Sequence, residues 1–367
     1  MEFWTREAIC NLNDDERRRL IEDVFRELPP EVDPEIAQGQ EGSCRVKVVD
    51  LDELSFSVSI ESGRLRYEAV TGNGENFSAS ANVTSRSFLV AALVHDHDPF
   101  PLPPGEEMTA TGDENLVTVL LAHFAVLPSS LRKSLAVLDA RPKGAESVIE
   151  RHGEAEPALI ERAIRAKIPL VIRDANVDWP AKRWTLDSFA NDFGHVPYLS
   201  STLGERVAEI RDSGKIVQGF SERLPDELKA QFGPTKGFPS SFQNVETFLS
   251  GPQAITPLHR DLIDGLAIVS FGPREFWLFP PSDAEALYAQ PLKRVGDFQK
   301  CSVSDPRNVD STRFPRFVDA RPTRITVMPG DMIFVPAGWF HAVVTVAPSL
   351  ITKFVYSMRD TWKAFAL

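Results

Sequence analysis

Two stretches of this chain decide its fold: Thr256-Pro257-Leu258-His259-Arg260-Asp261 and Pro329-Gly330-Asp331-Met332-Ile333-Phe334-Val335-Pro336-Ala337-Gly338-Trp339-Phe340-His341. The first places an imidazole and a carboxylate two residues apart, and positions i and i+2 of a β-strand point to the same side. The second contains two turns with glycine, Pro329-Gly330-Asp331 and Val335-Pro336-Ala337-Gly338, and glycine accepts positive φ angles. It delivers another imidazole to the end of a strand. The pattern therefore predicts that His259, Asp261 and His341 converge.

Two imidazoles and one carboxylate on one face of a metal leave the opposite face open, which is typical of non-heme Fe(II) oxygenases. The sequence thus predicts an oxidising metalloenzyme with His259, Asp261 and His341 as catalytic metal ligands. A His-x-Asp motif alone is usually a solvent-exposed or hydrogen-bonded pair, so the second segment carries the prediction. The run His95-Asp96-His97-Asp98 lies outside the predicted barrel, and we interpret it as a solvated loop.

Composition limits the possible function classes. The chain has 367 residues, 43% of them apolar and 25% charged, as expected of a soluble globular protein with one large or two ordinary domains. The net charge of −12 disfavours nucleic acid and anionic membranes as partners. Three widely spaced cysteines predict neither a disulfide framework nor a zinc site, and no secretory leader is recognisable. We therefore expect a cytoplasmic protein.

The pattern of apolar and turn-forming residues divides the chain into an N-terminal part of mixed helix and strand and a β-rich C-terminal part. Amphipathic spacing predicts a helix over 14–28, and alternation with glycine turns predicts a small antiparallel sheet over 45–87. Two more helices are predicted over 114–127 and 129–138. The polar segment 141–156 is the candidate boundary. We expect an N-terminal α+β domain over 1–145, without an assignable role, and a catalytic domain over 146–367.

The second domain begins with mixed elements and ends in strands. A helix is predicted over 157–167, a buried strand over 168–173 and a helix over 186–193. From about residue 242, short strands alternate with proline and glycine turns, which is typical of a β-sandwich or barrel.

In four ordered segments this chain resembles the JmjC hydroxylases, most closely the factor-inhibiting-HIF-like, cupin-like branch. The resemblance spans roughly residues 150–360. The segments are Ile168-Pro169-Leu170-Val171-Ile172-Arg173 with Asp178-Trp179-Pro180 and Trp184-Thr185-Leu186, then Thr256 to Asp261, then Gly272 to Asp283, and finally Pro329 to His341. The resemblance implies an α+β protein whose catalytic domain is a double-stranded β-helix, the jelly roll of the cupin and JmjC proteins. It also implies Fe(II), with 2-oxoglutarate and O₂ as co-substrates.

The resemblance also implies residues that bind 2-oxoglutarate. Arg274 stands where the family usually has a lysine for the distal carboxylate, and Thr256 matches a hydroxyl that assists it. Lys353 on the last predicted strand is a second candidate cation, and Tyr356 could close the site. The alternatives are a surface ion pair for Arg274, an outward-facing Lys353 and a merely packed Tyr356. Gly265 and Tyr356 occupy two positions where the factor-inhibiting-HIF-like enzymes often have asparagine.

Three functions remain open at this stage. The first is hydroxylation of an unactivated C–H bond in a peptide, protein or amino-acid-like substrate, with a homodimer as a possible assembly. The second is a metal-dependent cupin enzyme that does not use 2-oxoglutarate, such as an isomerase or another dioxygenase. The third is a non-catalytic cupin binding protein. The complete ligand triplet favours an enzyme over the third.

Overall fold

The structure is a computed structural model that describes most of the chain. It describes residues 4–28, 30–32, 37, 39–52, 54–71, 76–94, 105, 108–124, 129–142, 147–154, 156–175, 179–198, 201–213, 226–232, 242–292, 298–356 and 361–362. The chain splits into two compact units, one comprising Met1–Arg132 and Leu292–Gly296, the other Lys133–Pro291 and Asp297–Leu367. The division precedes the boundary predicted near residue 145, which stays a prediction.

The N-terminal unit begins with helices α1 (Arg6–Cys10) and α2 (Asp14–Arg26). The predicted first long helix is confirmed as α2, and Asn13 caps it. The Asn13 side chain accepts from the backbone of Glu16, whose carboxylate accepts from the Asn13 backbone in return. This reciprocal capping box satisfies two helix-terminal donors at once.

A mixed five-stranded sheet forms the rest of this unit, with strand order β3-β2-β1-β4-β5. The strands are β1 (Gly42–Val48), β2 (Ser55–Glu61), β3 (Arg64–Ala69), β4 (Ala79–Val83) and β5 (Thr109–Gly112). The prediction of a purely antiparallel sheet is wrong in one respect, because β1 and β4 run parallel. The connection from β1 to β4 runs through β2 and β3, and a long connection of this kind is what a parallel pair requires. Helix α3 (Ser85–Leu93) follows β4.

Two further helices follow β5. Helix α4 (Glu114–His123) is the predicted helix in a shorter form, and residues 125–128 lie outside the described part of the chain. Helix α5 (Ser129–Asp139) agrees with the prediction and spans the division between the units. The core of the N-terminal unit contains Ile21, Phe25, Phe56, Phe88 and Phe124, and the rings of Phe25 and Phe56 stack with centroids 3.8 Å apart.

The second unit is the larger one. Its helices are α6 (Pro157–Ala166), α7 (Leu186–Phe193), α8 (Leu203–Ser213) and α9 (Asp226–Lys229). Its strands are β6 (Ile149–His152), β7 (Leu170–Arg173), β8 (Pro197–Tyr198), β9 (Ser201–Thr202), β10 (Phe242–Ser250), β11 (Ile255–Arg260), β12 (Gly265–Phe271), β13 (Arg274–Phe279), β14 (Gln299–Lys300), β15 (Thr323–Val327), β16 (Met332–Val335), β17 (Phe340–Thr345) and β18 (Ser349–Tyr356).

Two sheets make the jelly roll of this unit. One has the order β10-β18-β12-β16-β7-β6 and the other the order β14-β11-β17-β13-β15. Their apolar side chains share one interior cluster, which includes Ala267, Phe276, Ile333, Val343 and Ile351. The predicted α+β class with a jelly-roll catalytic domain is confirmed. Among the described residues, no helix is both long and apolar enough to cross a membrane.

The polar segment predicted as an interdomain boundary contributes a strand to the barrel. Strand β6 lies within residues 141–156 and pairs in parallel with β7, for example Ile149 with Leu170. A short strand with three exposed positions out of four has little apolar content of its own. Its pairing depends on the neighbouring strand, which explains why the local sequence does not reveal it.

Candidate metal centre

Adjacent antiparallel strands bring the predicted ligands together. His259 on β11 and His341 on β17 are direct cross-strand partners. The register shifts between Thr256 and His259, so β11 carries an extra residue there relative to β17. Such a β-bulge re-aims the side chains that follow it. The bulge precedes His259 directly, and the side chains of His259, Asp261 and His341 converge beyond it.

The three side chains form a compact donor set. Potential ligand atoms of His259, Asp261 and His341 all lie within 4.8 Å of one another. Nε2 of His259 is 3.6 Å from Oδ1 of Asp261, and Nε2 of His341 is 3.9 Å from Oδ2. These three residues can hold one metal ion. The run at residues 95–98 lies outside the described part of the chain.

Backbone carbonyls fix the orientation of both imidazoles. Nδ1 of His259 is 2.7 Å from the carbonyl oxygen of Pro257, and Nδ1 of His341 is 3.3 Å from that of Trp339. A carbonyl only accepts, so each Nδ1 carries the proton and donates it. Each Nε2 is then an unprotonated lone pair, the form that binds a metal.

Burial and neighbouring charges keep the donor set in this form. Burial and the neighbouring His259 lower the pKa of His341 to about 3. Burial also lowers the pKa of His259. Burial alone would raise the pKa of Asp261, but the charged Lys353 beside it holds that pKa well below its usual range. At neutral pH the site therefore presents two neutral imidazoles and one carboxylate.

The turn before His341 is bound to the segment that follows Asp261. The backbone N–H of Gly338 donates to the carbonyl oxygen of Asp261 at 3.0 Å. The N–H of Ala337 donates to Oδ1 of Asp264 at 2.8 Å. Gly338 has φ +90°, and a Cβ there would lie 2.8 Å from Leu138. This position therefore requires glycine for both conformation and space.

Behind this turn lies a buried ion pair between Lys167 and Asp264. The two atoms Nζ and Oδ2 are 2.6 Å apart, and the side chains are 0% and 1% exposed. The ammonium also donates to the carbonyl oxygen of Thr361 at 2.8 Å. The carbonyl oxygen of Lys167 accepts from the indole of Trp339 at 2.7 Å. The pair thereby connects the two ligand-bearing segments of the barrel.

A cavity opens beside the candidate ligands. It is lined by Phe248, Thr256, His259, Asp261, Gly265, Ala267, Arg274, Phe276, Val335, His341, Val343, Ile351 and Lys353. Its volume is about 90 Å³, several times the roughly 10 to 15 Å³ that accommodates one water. Of the residues predicted to bind 2-oxoglutarate, Thr256, Arg274 and Lys353 line this cavity. Tyr356 is buried but is not among the lining residues.

Arg274 lies within the barrel and is only 3% exposed. Its Nε donates to the hydroxyl of Ser349 at 3.0 Å, and its Nη2 donates to the carbonyl oxygen of Phe248 at 2.6 Å. A surface ion pair does not describe this environment. A buried guanidinium held by neutral acceptors keeps its full charge and gives the cavity a cationic wall.

Lys353 also points into the cavity rather than outward. Its Nζ is 2.5 Å from Oδ2 of Asp261, and the two side chains are 22% and 18% exposed. Burial opposes the charged ammonium, but the carboxylates of Asp261 and Glu246 raise the pKa of Lys353 above its usual value. The lysine is thus a charged partner of a predicted metal ligand.

Two residues near the site were given no role by the sequence interpretation. Arg260, between the two ligands of β11, is buried and pairs with Asp139 at 2.5 Å. Because side chains alternate along a strand, Arg260 points away from the candidate metal ligands. Phe298 is 50% exposed, and its ring centroid lies 5.0 Å from that of His259. No local pattern marks Phe298, because only the pairing of β14 with β11 brings it there.

Comparison with known proteins assigns the family. Residues 215–361 match the family described as cupin-like domain. The human bifunctional peptidase and (3S)-lysyl hydroxylase JMJD7 is 30% identical over 246 residues, which cover 52% of this chain and 78% of that protein. The chain therefore belongs to the cupin-like family, with homologues of the JmjC type. The resemblance is confirmed at this level, and the factor-inhibiting-HIF-like branch stays a prediction.

Other relatives cover shorter shares of the chain. The HSPB1-associated protein 1 of Rattus norvegicus is 26% identical over 229 residues, covering 50% of this chain and 47% of that protein. The human tRNA wybutosine-synthesizing protein 5 is 33% identical over 127 residues, covering 32% and 38%. The chain spans about half or less of the length of the HSPB1-associated proteins of Rattus norvegicus, Bos taurus and Danio rerio.

Proposed function

We propose that this protein is an Fe(II)- and 2-oxoglutarate-dependent oxygenase that hydroxylates an unactivated C–H bond in a peptide, protein or amino-acid-like substrate. The convergence of His259, Asp261 and His341 beside a cavity with a cationic wall carries this proposal. Neutral imidazoles and a carboxylate suit a divalent first-row metal, and the facial arrangement suits Fe(II). A relative that is by name a lysyl hydroxylase supports the reaction class.

In this proposal the cavity combines metal ligands, residues that bind the co-substrate and an apolar wall. His259, Asp261 and His341 would hold the metal, while Arg274 and Thr256 would bind the distal carboxylate of 2-oxoglutarate. Phe276, Val343 and Ile351 line the cavity with apolar surface and exclude water from it. Fe(II) and 2-oxoglutarate, when bound, supply the oxidising chemistry with O₂. The protein contributes positioning and a water-poor environment.

The distribution of charge favours a protein or peptide substrate. Residues 1–132 carry 24 acidic and 11 basic side chains, whereas residues 133–367 carry 28 and 29. The negative charge of the whole chain therefore belongs to the N-terminal part. An anionic nucleic acid would be repelled by that part, while a basic peptide would be attracted. We propose that the N-terminal unit recognises the substrate.

The same structure keeps a second candidate open. The hydrogen bonds of Arg274 to Phe248, Ser250 and Ser349 are already formed within the protein. A guanidinium that only stabilises the barrel would fit a metal-dependent cupin enzyme that does not use 2-oxoglutarate. Succinate formation separates the two candidates, because only the oxygenase converts 2-oxoglutarate to succinate.

The deciding experiment measures metal binding and succinate together. We expect the wild-type protein to bind Fe(II) or Mn(II) and to form succinate from added 2-oxoglutarate. The His341→Ala variant should lose metal affinity by more than about 100-fold, since groups behind a metal ligand already contribute about 10- to 100-fold. Metal binding without succinate would favour the second candidate. Absence of both would favour a non-catalytic binding protein.

A substrate screen should follow on the active protein. Basic and acidic peptide pools and a tRNA pool would be incubated with Fe(II) and 2-oxoglutarate, and a mass gain of one oxygen would be measured. We expect hydroxylation in the basic peptides. Modification confined to tRNA would contradict the protein or peptide substrate while leaving the proposed chemistry intact.

A further inference from the structure

The path of Lys353 depends on a missing side chain on the adjacent strand. Lys353 on β18 is the cross-strand partner of Ala267, and Gly265 lies two residues away on the same face of β12. A Cβ at position 265 would lie 2.9 Å from Cε of Lys353. The lysine therefore crosses over Gly265 on its way to Asp261. Gly265 thus leaves space for the Lys353 side chain, and any larger side chain at position 265 would reduce that space.

The ammonium of Lys353 donates to one of the two carboxylate oxygens of Asp261. Oδ2 accepts from Nζ of Lys353 at 2.5 Å. Oδ1 is the oxygen nearer to Nε2 of His259, at 3.6 Å. Nε2 of His341 lies 3.9 Å from Oδ2, so a cation on Oδ2 competes with a metal ion on that side and leaves Oδ1, beside His259, for the metal. On the other side of Lys353, Glu246 of β10 is its cross-strand partner and contributes a second negative charge.

We propose that Lys353 is an internal counter-cation of the metal carboxylate. It is a positioning residue that neutralises Asp261 in the metal-free protein, restricts a bound metal to Oδ1, and competes with that metal for the same negative charge. This inference rests on the proposed metal site. It differs from a role for Lys353 in binding 2-oxoglutarate, because it needs neither the co-substrate nor turnover.

Removal of the lysine should have two opposite effects. In Lys353→Met, Asp261 is left without its cation, so the metal-free protein should melt roughly 5 °C lower. A divalent ion would no longer be repelled by a neighbouring charge, so Co(II) should bind at least about tenfold more tightly. The gain in melting temperature on adding Co(II) should therefore be larger than in the wild type. If the lysine had only a structural role, its removal would lower both the melting temperature of the metal-free protein and the affinity for Co(II).

The experiment titrates Co(II) into the full-length protein by calorimetry and records thermal melting by circular dichroism, with and without metal. Lys353→Gln is the second variant, because it keeps an N–H donor for Oδ2 but lacks the charge, and it should also bind Co(II) more tightly. Lys300→Met is the matched control. This exposed lysine on β14 lies opposite His259 of β11. Its loss should leave the Co(II) affinity within about threefold of the wild-type value.

The possible outcomes distinguish the role of Lys353 from the existence of the metal site. Tighter Co(II) binding in Lys353→Met, or in Lys353→Gln if the first variant does not fold, supports the counter-cation. Unchanged or weaker binding in a folded variant overturns it while the metal site stands. A wild-type protein that binds no Co(II) overturns the metal site and the counter-cation together.

Discussion

Two lysine–aspartate pairs in the barrel have nearly the same length but opposite surroundings. Lys167 and Asp264 are 2.6 Å apart and buried, while Lys353 and Asp261 are 2.5 Å apart and border the cavity. The first pair has further partners within the protein, including the carbonyl of Thr361 and the N–H of Ala337. The second faces a space where another cation could replace the lysine. Environment, rather than the ion pair itself, thus separates a structural role from a functional one.

The largest expected effect is the loss of the buried pair. Lys167→Met leaves the carboxylate of Asp264 without its cation in a water-free region, which typically costs about 3 to 5 kcal/mol. Urea denaturation should show this decrease in the free energy of unfolding. The control is Lys182→Met, which removes a half-exposed partner of Asp174 and should cost about 1 kcal/mol or less. Equal losses in the two variants would contradict the structural role of Lys167.

Among the described residues that line the cavity, Arg274 is the other basic side chain besides Lys353, which pairs with Asp261. Arg274→Met should weaken the apparent affinity for 2-oxoglutarate by about 2 to 5 kcal/mol, or about 30-fold or more, while Co(II) affinity stays within about threefold. The Michaelis constant measured by succinate release tests this. Arg324→Met, an exposed arginine on β15 that pairs with Glu275, is the control. If Lys353→Met alone raised the Michaelis constant, the roles of the two cations would be exchanged.

A smaller effect is expected for the indole that supports the buried pair. Trp339→Phe removes the hydrogen bond to the carbonyl of Lys167 and leaves that oxygen buried without its donor. We expect a loss of about 1 to 3 kcal/mol in unfolding free energy. The comparison is Trp277→Phe, whose indole donates to the side chain of Glu275 in a partly exposed place. A greater loss in Trp277→Phe would indicate that burial does not govern these contacts.

The smallest effect is expected at Gly265. The Cβ of Gly265→Ala meets the flexible end of Lys353, which can yield, so stability should change by less than about 1 kcal/mol. Co(II) affinity should rise by about threefold, because the ammonium is displaced from Asp261. A double-mutant cycle with Lys353→Met tests the coupling, since the alanine should have no effect on Co(II) once the lysine is gone. Additive effects would contradict this coupling between position 265 and Lys353.

The sequence by itself determined the elements and residues whose signals are local. Helix α7 occupies the predicted residues 186–193, and helix α2 begins at its predicted first residue, Asp14, because capping and amphipathic spacing act over one or two turns. The triplet His259, Asp261 and His341 was identified for the same reason: strand alternation and turn chemistry place such side chains within short segments.

Only the tertiary structure decided the contacts between distant segments. The parallel pairing of β1 with β4 and of β6 with β7 depends on neighbours that no local pattern specifies. Lys353 reaches Asp261 across 92 positions, and Lys167 reaches Asp264 across 97. From the sequence, Lys353 is a candidate cation for 2-oxoglutarate and Lys167 has no assigned role, and the aspartate that either lysine meets is not predicted. That choice follows from strand register, a bulge in β11 and the empty space above Gly265, which exist only once the two sheets have packed.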